Sequence, residues 1–184
     1  MNSIIKIIPF EKKTVMNFLN RWQLEHMITK LKLFESISDG IVLYHSTNHT
    51  WKKPEINGFW FHAGTLKAAL DRMKSFRLQI NPHIIQLKMS IKKPLYIGRD
   101  YRFHNDLSKV SKELYKDGII NKSELDNFSQ IYSNYATFDN LRKLLHDKYG
   151  YDGVIYRNNI EDRGSESYIA FYPEQIEILD YDYK

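Results

Sequence analysis

The chain of 184 residues contains no cysteine. This absence excludes disulfide bonds, thiolate nucleophiles and cysteine-ligated zinc sites. No apolar run approaches the length of a membrane-spanning helix. Residues 1–10 lack the continuous apolar core and the small-residue cleavage site of a signal peptide. We therefore expect a cytoplasmic protein without a membrane partner.

Several common catalytic motifs are also missing. The sequence has no Gly-x-Gly-x-x-Gly fingerprint, no P-loop and no Gly-x-Ser-x-Gly nucleophile elbow. His45 and His49 are four residues apart, but the His-Glu-x-x-His pattern of a zinc enzyme is not there. We therefore predict no metal site.

The formal net charge is +5, and lysine and arginine are spread along the chain rather than gathered in one tail. This distribution argues against a disordered basic arm. It is compatible with a solvated basic surface, and equally with an acidic partner such as nucleic acid, a dinucleotide or an acidic protein face.

Local patterns predict an α+β protein in which short strands alternate with helices. An apolar stripe predicts a helix over Thr14–Phe34, which Ser38-Asp39-Gly40 ends. We therefore divide the chain into an N-terminal helical extension, residues 1–39, and a main domain, residues 40–184. The predicted strands of the main domain are Ile41–His45, Gly58–His62, Ile84–Ile91, Pro94–Ile97, Gly153–Tyr156, Tyr168–Phe171 and Ile176–Leu179.

Several helices are predicted between these strands. Thr65 is expected to cap a helix from Leu66 to about Phe76. A second helix is ended by Gly118 and places Leu107, Val110, Leu114 and Tyr115 on one face. Ser123 with Asp126 resembles a capping pair, and a last helix is expected from Asp139 or Asn140 to Lys148.

Three segments carry side chains suited to chemistry. His45 ends a strand and is followed by the hydroxyls of Ser46 and Thr47, a set that can bind a sugar or phosphate. Trp60 lies in an aromatic strand, where a ring facing a cleft can stack on a planar base. Glu166 precedes an apolar strand and can stabilise a developing positive charge. Taken singly, each also has a structural interpretation as a core or surface residue.

In order along the chain, these segments resemble the ADP-ribosyltransferase fold, and in particular its phage-associated, polyvalent-protein type. The likeness covers about Gly40 to Leu179. It rests on Tyr44-His45-Ser46-Thr47, Gly58-Phe59-Trp60-Phe61, Lys93-Pro94-Leu95, Tyr151-Asp152-Gly153-Val154-Ile155 and Glu166 to Ile176. The resemblance implies split antiparallel β-sheets around an NAD cleft, with NAD as co-substrate.

The resemblance also implies roles for individual residues. His45 would contact the ribose of NAD, Trp60 would pack against nicotinamide, and Glu166 would be the catalytic acid. Glu161 and Asp162 lie in the same turn as Glu166 and compete for its role. The implied cofactor-binding residues are Tyr44, His45, Ser46, Thr47, Trp60, Phe61 and His62.

The expected activity is therefore mono-ADP-ribosyl transfer to RNA, DNA or protein, acting as a toxin or in phage–host conflict, with an antitoxin or inhibitor protein as partner. Two alternatives remain open. An RNA 2′-phosphotransferase-like enzyme would need basic residues such as Arg99, Arg102 and Arg157. A non-catalytic nucleic-acid-binding module would use the basic surface alone.

Overall fold

The computed structural model describes residues 39–48, 61–75, 81–101, 107–129 and 135–183. These residues form an α+β protein with two mostly antiparallel sheets and four α-helices. The strands are β1 Ile41–Thr47, β2 Phe61–Ala63, β3 His83–Met89, β4 Pro94–Ile97, β5 Gly153–Arg157, β6 Glu166–Ala170 and β7 Ile176–Asp180. The helices are α1 Leu66–Ser75, α2 Leu107–Lys116, α3 Lys122–Ser129 and α4 Tyr135–Lys143. The predicted helix Thr14–Phe34 and the side chain of Trp60 lie outside the described residues.

The first sheet has the strand order β1-β3-β7, and the second has the order β2-β6-β5-β4. All neighbouring pairs are antiparallel except β4 and β5. The sheets are linked by an isolated bridge between Tyr44 of β1 and Gly64, just after β2. Their backbone N–H groups and carbonyls exchange two hydrogen bonds of 2.9 and 3.1 Å. This bridge positions the end of β1 beside the second sheet.

Strand β6 is buried on both faces, and its side chains alternate between two cores. Tyr168 and Ala170 belong to a cluster that also contains Leu43 and Leu87 of the first sheet. Ile169 belongs to a second cluster, built from the opposite face of the second sheet and from α2 to α4. Successive side chains of a strand point to opposite faces, and a strand covered on both sides therefore carries a continuous apolar run.

The Tyr-Asp-Gly segment before β5 performs a structural function. The Asp152 carboxylate accepts hydrogen bonds from the backbone N–H groups of Lys92 and Lys93 at 2.8 and 2.7 Å. At Gly153, an added Cβ would lie 2.7 Å from the carbonyl oxygen of Ile169. Glycine is therefore required here because the neighbouring strand approaches too closely for a side chain.

Gln175, in the 3-10 turn Pro173–Gln175, joins the ends of strands from the two sheets. Its Oε1 accepts from the backbone N–H groups of Phe171 and Tyr172, both at 2.9 Å. Its Nε2 donates to the carbonyls of Ser90 and Asp152 at 3.2 and 2.8 Å. One amide side chain thus satisfies four backbone groups where β6 leaves the sheet.

The predicted Thr65 cap is confirmed, since its Oγ1 accepts from the backbone N–H of Ala68 at 3.0 Å. In α2, Leu107, Val110 and Leu114 are fully buried as predicted. Tyr115, expected on the same face, is 41% exposed, so that assignment was wrong.

The predicted capping pair Ser123–Asp126 was wrong by two residues. Asn121 Oδ1 accepts from the Glu124 N–H at 3.0 Å, and Glu124 Oε2 accepts from the Asn121 N–H at 2.7 Å. This reciprocal pair is a capping box that uses asparagine instead of serine or threonine. Similarly, α4 includes Tyr135 and so begins before the predicted start at Asp139 or Asn140, and a π-helical turn continues it through Lys148. Within the described residues, no helix has the length and apolar character to cross a bilayer.

Candidate functional site

A cavity of about 320 Å³ lies beside the bridge that links the two sheets. Its volume is at the lower end of the range for small-molecule sites. Its wall is formed by the end of β1, β2 with Gly64, α1, the loop after β4, and the hairpin of β5 and β6 with the turn between them. The lining residues are Tyr44, His45, Ser46, Thr47, Asn48, His62, Ala63, Gly64, Ala68, Ala69, Arg72, Asp100, Tyr156, Asn158, Glu161 and Ser167.

His45 is held in a single orientation at the end of β1. Its Nδ1 lies 2.6 Å from the carbonyl oxygen of His62, and its ring packs 4.6 Å from the ring of Phe61. Because a carbonyl only accepts, Nδ1 carries the proton in this hydrogen bond. Burial lowers the pKa of His45 to about 4. At neutral pH the ring is therefore uncharged, and its Nε2 is a hydrogen-bond acceptor.

The hydroxyl-bearing residues next to His45, namely Tyr44, Ser46 and Thr47, also line the cavity. Ser46 Oγ is buried and makes no hydrogen bond among the described residues. Tyr44 Oη accepts from Gln86 Nε2 at 3.2 Å, and its ring contacts the ring of Tyr183 edge-on at 5.0 Å. A buried hydroxyl without a partner is costly, so Ser46 is suited to a ligand that supplies the missing hydrogen bond.

The second sheet contributes a polar floor. Tyr156 and Ser167 face each other across β5 and β6, and directly opposed residues share one face of a sheet. The phenol of Tyr156 lies 3.2 Å from His62 Nδ1, and Ser167 Oγ accepts from Asn158 Nδ2 at 3.0 Å. Burial, followed by the charge of Asp100, raises the pKa of Tyr156, so its hydroxyl stays protonated at neutral pH.

Helix α1 leaves room for the cavity and supplies one cation. Ala68 and Ala69 are buried at its wall, and their small side chains let the helix lie close to the sheets. One turn further, Arg72 Nη1 forms an ion pair of 3.1 Å with Glu161 Oε1. At Gly64 an added Cβ would lie 3.3 Å from Ser167 Oγ, so glycine permits this close approach.

The turn between β5 and β6 is fastened to α1 by Asp162. Its Oδ2 accepts from Thr65 Oγ1 at 2.6 Å, and its backbone N–H donates to Asp71 Oδ2 at 3.1 Å. Lys67 Nζ lies 3.4 Å from Oδ1 of Asp162. Asp162 has a φ of 41°, a left-handed conformation that aspartate tolerates better than most residues. The turn therefore has a defined position over the cavity.

Tyr44, His45, Ser46, Thr47 and His62, which the sequence predicts as site residues, all line the cavity. Phe61 lies behind His45 in the core between the sheets. Glu166 is not among the lining residues. It leaves β6 on the face opposite to Ser167, and its Oε2 accepts from the Tyr168 hydroxyl at 2.9 Å. Of the competing acids, Glu161 lines the cavity and Asp162 does not.

Sequence reasoning missed several polar lining residues as site candidates, among them Arg72, Asp100, Tyr156, Asn158 and Ser167. Two of them left a signal in the sequence. Arg72 follows Ala68 and Ala69 at helical spacing, and Asn158 directly follows an apolar strand, where asparagine favours a turn. Local patterns did not reveal that these residues line the same cavity as His45, because that depends on the packing of separate elements.

Comparison of the chain with protein-family models, with curated proteins and with solved structures finds no match in any of the three. The described residues also contain no group of three or more His, Cys, Asp or Glu side chains placed to hold a metal ion. The cavity and the sequence motifs are therefore the basis for assigning a function.

Proposed function

We propose that the chain is an NAD-dependent mono-ADP-ribosyltransferase with an ADP-ribosyltransferase-like fold. The observation that carries this proposal is the cavity at the bridge between the sheets. His45, whose ring is neutral at neutral pH, Ser46 and the carboxylate of Glu161, which Arg72 holds in an ion pair, line the same cavity. The resemblance in sequence motifs supports the same function independently of the cavity.

The end of β1 is suited to bind a ribose. A sugar hydroxyl both donates and accepts hydrogen bonds, and Nε2 of His45 can accept a hydrogen bond from it. Ser46 Oγ can form the complementary bond that it does not form within the described part of the chain. Because the His45 ring is held by the His62 carbonyl and the ring of Phe61 before a ligand enters, its binding role requires little reordering.

The proposed reaction breaks the bond between C1′ of the ribose and the ring nitrogen of nicotinamide. The bonding electron pair moves to that nitrogen, which loses its positive charge, and C1′ becomes an oxocarbenium-like centre. An O–H or N–H group of the acceptor then attacks C1′ and releases its proton to solvent. Positive charge thus develops on the ribose, and one correctly placed carboxylate is an effective stabiliser.

The acceptor is proposed to be a nucleic acid or an acidic protein surface, because the chain has a formal net charge of +5. A role as a toxin or in phage–host conflict, with an antitoxin or inhibitor protein as partner, stays a prediction from the resemblance. So does the assignment of Glu166 as the catalytic acid.

The 2′-phosphotransferase alternative has less support from the geometry. Arg99 binds the carboxylates of Glu113 and Asp117 at 2.8 and 2.9 Å, and Arg157 Nε donates to the carbonyl of Gly164 at 3.3 Å. Neither arginine lines the cavity. Among the described lining residues, Arg72 is the only lysine or arginine, and it forms an ion pair with Glu161. A 2′-phosphate would need more cationic donors than this.

The test uses the full chain, labelled NAD and a cell lysate. Wild-type protein is expected to transfer label to a macromolecule. His45→Ala is expected to lower the transfer at least tenfold, because it removes the imidazole that accepts a hydrogen bond from the ribose. His146→Ala, a change at an exposed histidine outside the cavity, is the matched control. Nuclease and protease digestion then separate nucleic-acid from protein acceptors.

Two results would contradict the proposal. If calorimetry detects no NAD binding and no label is transferred, the NAD function is wrong. If NAD binds but is neither cleaved nor transferred, with any lysate, the chain is a non-catalytic binding module.

A further inference from the structure

The pleat of β6 places the side chain of Glu166 away from the cavity. Glu166 and Ser167 are consecutive, so their side chains leave the strand on opposite faces. Ser167 lines the cavity, where it lies opposite Tyr156. Glu166 shares the other face with Tyr168 and accepts a hydrogen bond from its hydroxyl. Burial, and to a smaller extent the charge of Glu166, raises the pKa of Tyr96. The carboxylate of Glu166 is thus committed to a tyrosine cluster away from the cavity.

The carboxylate of Asp162 is also bound to residues that do not line the cavity. Its carboxylate accepts from Thr65 and pairs with Lys67, and these contacts join the turn to the start of α1. Because Thr65 also caps α1, loss of Asp162 would disturb the helix and the turn together. These contacts assign Asp162 a structural role.

Glu161 has the opposite arrangement: it lines the cavity, and both of its oxygens are fixed. Oε1 accepts from Arg72 Nη1 at 3.1 Å, and Oε2 accepts from Asn158 Nδ2 at 3.2 Å. A carboxylate oxygen can accept two hydrogen bonds, so each oxygen keeps one acceptor position. The side chain is 16% exposed, which places it under the surface but within reach of a ligand in the cavity.

Asn158 makes this arrangement rigid. It is 3% exposed, and its Oδ1 accepts from the backbone N–H groups of Ile160 and Glu161 at 2.8 and 3.0 Å. Its Nδ2 donates to both Glu161 and Ser167. One buried amide therefore fixes the backbone of the turn, the carboxylate and the cavity floor. A carboxylate positioned before the reaction stabilises charge without the cost of reorganisation.

On the basis of the proposed function, we infer that Glu161 is the carboxylate that contacts the nicotinamide-side ribose of NAD, and that Arg72 and Asn158 are its positioning residues. Its two remaining acceptor positions match the two donors of a ribose cis-diol. As the C1′–nitrogen bond breaks, the negative charge of Glu161 stabilises the oxocarbenium-like ribose. In this arrangement the acid comes from a turn, and the strand residue that faces the cavity is a serine.

The test compares Glu161→Gln, Glu166→Gln and Glu174→Gln in the full chain. Each change replaces a carboxylate by an amide of the same shape, and Glu174 is an exposed control in the 3-10 turn, outside the cavity. The measurements are nicotinamide release, NAD affinity by calorimetry and thermal unfolding. We expect Glu161→Gln to slow nicotinamide release about 100-fold or more. Its unfolding midpoint should stay close to that of the wild type, and the control should match the wild type throughout.

A modified substrate separates contact from a structural effect. An NAD analogue that lacks the 2′-hydroxyl of the nicotinamide-side ribose should react much more slowly than NAD with wild-type protein. With Glu161→Gln the analogue and NAD should react at nearly equal rates, because the contact is already lost. Asn158→Ala should lower kcat more than it raises KM for NAD, as expected of a positioning residue.

Three results would overturn the inference. If Glu166→Gln abolishes nicotinamide release and shows the coupling to the 2′-hydroxyl, while Glu161→Gln remains active, the acid is on the strand and the proposed function stands. If both variants remain active, neither residue is the acid. If wild-type protein neither binds nor cleaves NAD, the proposed function itself fails.

Discussion

Glu166 and Ser167 are neighbours in β6, yet only Ser167 lines the cavity, whereas Glu166 binds the hydroxyl of Tyr168 on the other face of the sheet. A difference of one position along a strand reverses the direction of a side chain. The sequence motif predicts Glu166 as the acid, whereas the carboxylate that lines the cavity is that of Glu161, in the turn before β6.

Lowering the pH should destabilise the protein through His45. Burial lowers the pKa of His45 to about 4, whereas an unfolded histidine titrates near 6.5. Between these values the unfolded chain binds a proton that the folded chain does not, so stability falls as pH decreases from about 6.5 to 4. The difference amounts to at most about 3 kcal/mol, because His45 is partly exposed.

Urea unfolding of wild-type protein and His45→Gln at several pH values in this window measures the effect. The variant should lose part of the pH dependence, and His146→Gln, at an exposed histidine, should retain it. Parallel profiles for wild type and His45→Gln would show that His45 does not cause the acid sensitivity.

Ser46→Ala should stabilise the free protein but weaken NAD binding. The change removes a buried hydroxyl that makes no hydrogen bond among the described residues, which should raise stability by about 1 kcal/mol. For a chain of this size that corresponds to a rise in Tm of about 2–4 °C. Thermal unfolding with and without NAD measures both effects. A variant that is less stable than wild type without NAD would mean that Ser46 already has a partner.

Gly153→Ala should be strongly destabilising. The new Cβ would lie 2.7 Å from the Ile169 carbonyl oxygen and 2.9 Å from two carbons of Ile91, in a region that packs on both sides. We expect a loss of about 2–3 kcal/mol in the free energy of unfolding. Gly98→Ala is the matched control, since its Cβ would meet nothing within 4 Å, and it should change stability by less than about 0.5 kcal/mol. Equal effects in chemical denaturation would refute the close-approach argument.

Gln175→Ala should remove four hydrogen bonds to backbone groups at the junction of the two sheets. The backbone N–H groups of Phe171 and Tyr172 would lose their acceptor, and we expect a loss of about 3 kcal/mol. Glu174→Ala, at the exposed neighbour, should have little effect on the denaturation midpoint. If the two variants unfold at the same denaturant concentration, Gln175 does not hold the junction.

Local sequence patterns predicted the α+β class and several individual strands and helices correctly. Period-two apolar patterns identified β3 and β7, a threonine before an apolar helix identified the start of α1, and a short Pro-Leu segment identified β4. These features depend on neighbouring residues, which is why they can be predicted from short segments. The Asn121–Glu124 cap was missed because asparagine replaces the usual hydroxyl residue.

The amino-acid sequence by itself determined that β6 is a buried strand preceded by a polar turn with several acids, and that His45 lies in an earlier strand, which extends to Thr47 and not only to the predicted end at His45. Only the tertiary structure decided which face of β6 meets the cavity and which of the nearby acids lines it. A strand's alternation is local, but β6 is covered on both faces, and the face that meets the cavity depends on how the two sheets and α1 pack together. The pair Arg72–Glu161 likewise joins residues far apart in the chain, whose distance is set by the packing of a helix against two sheets.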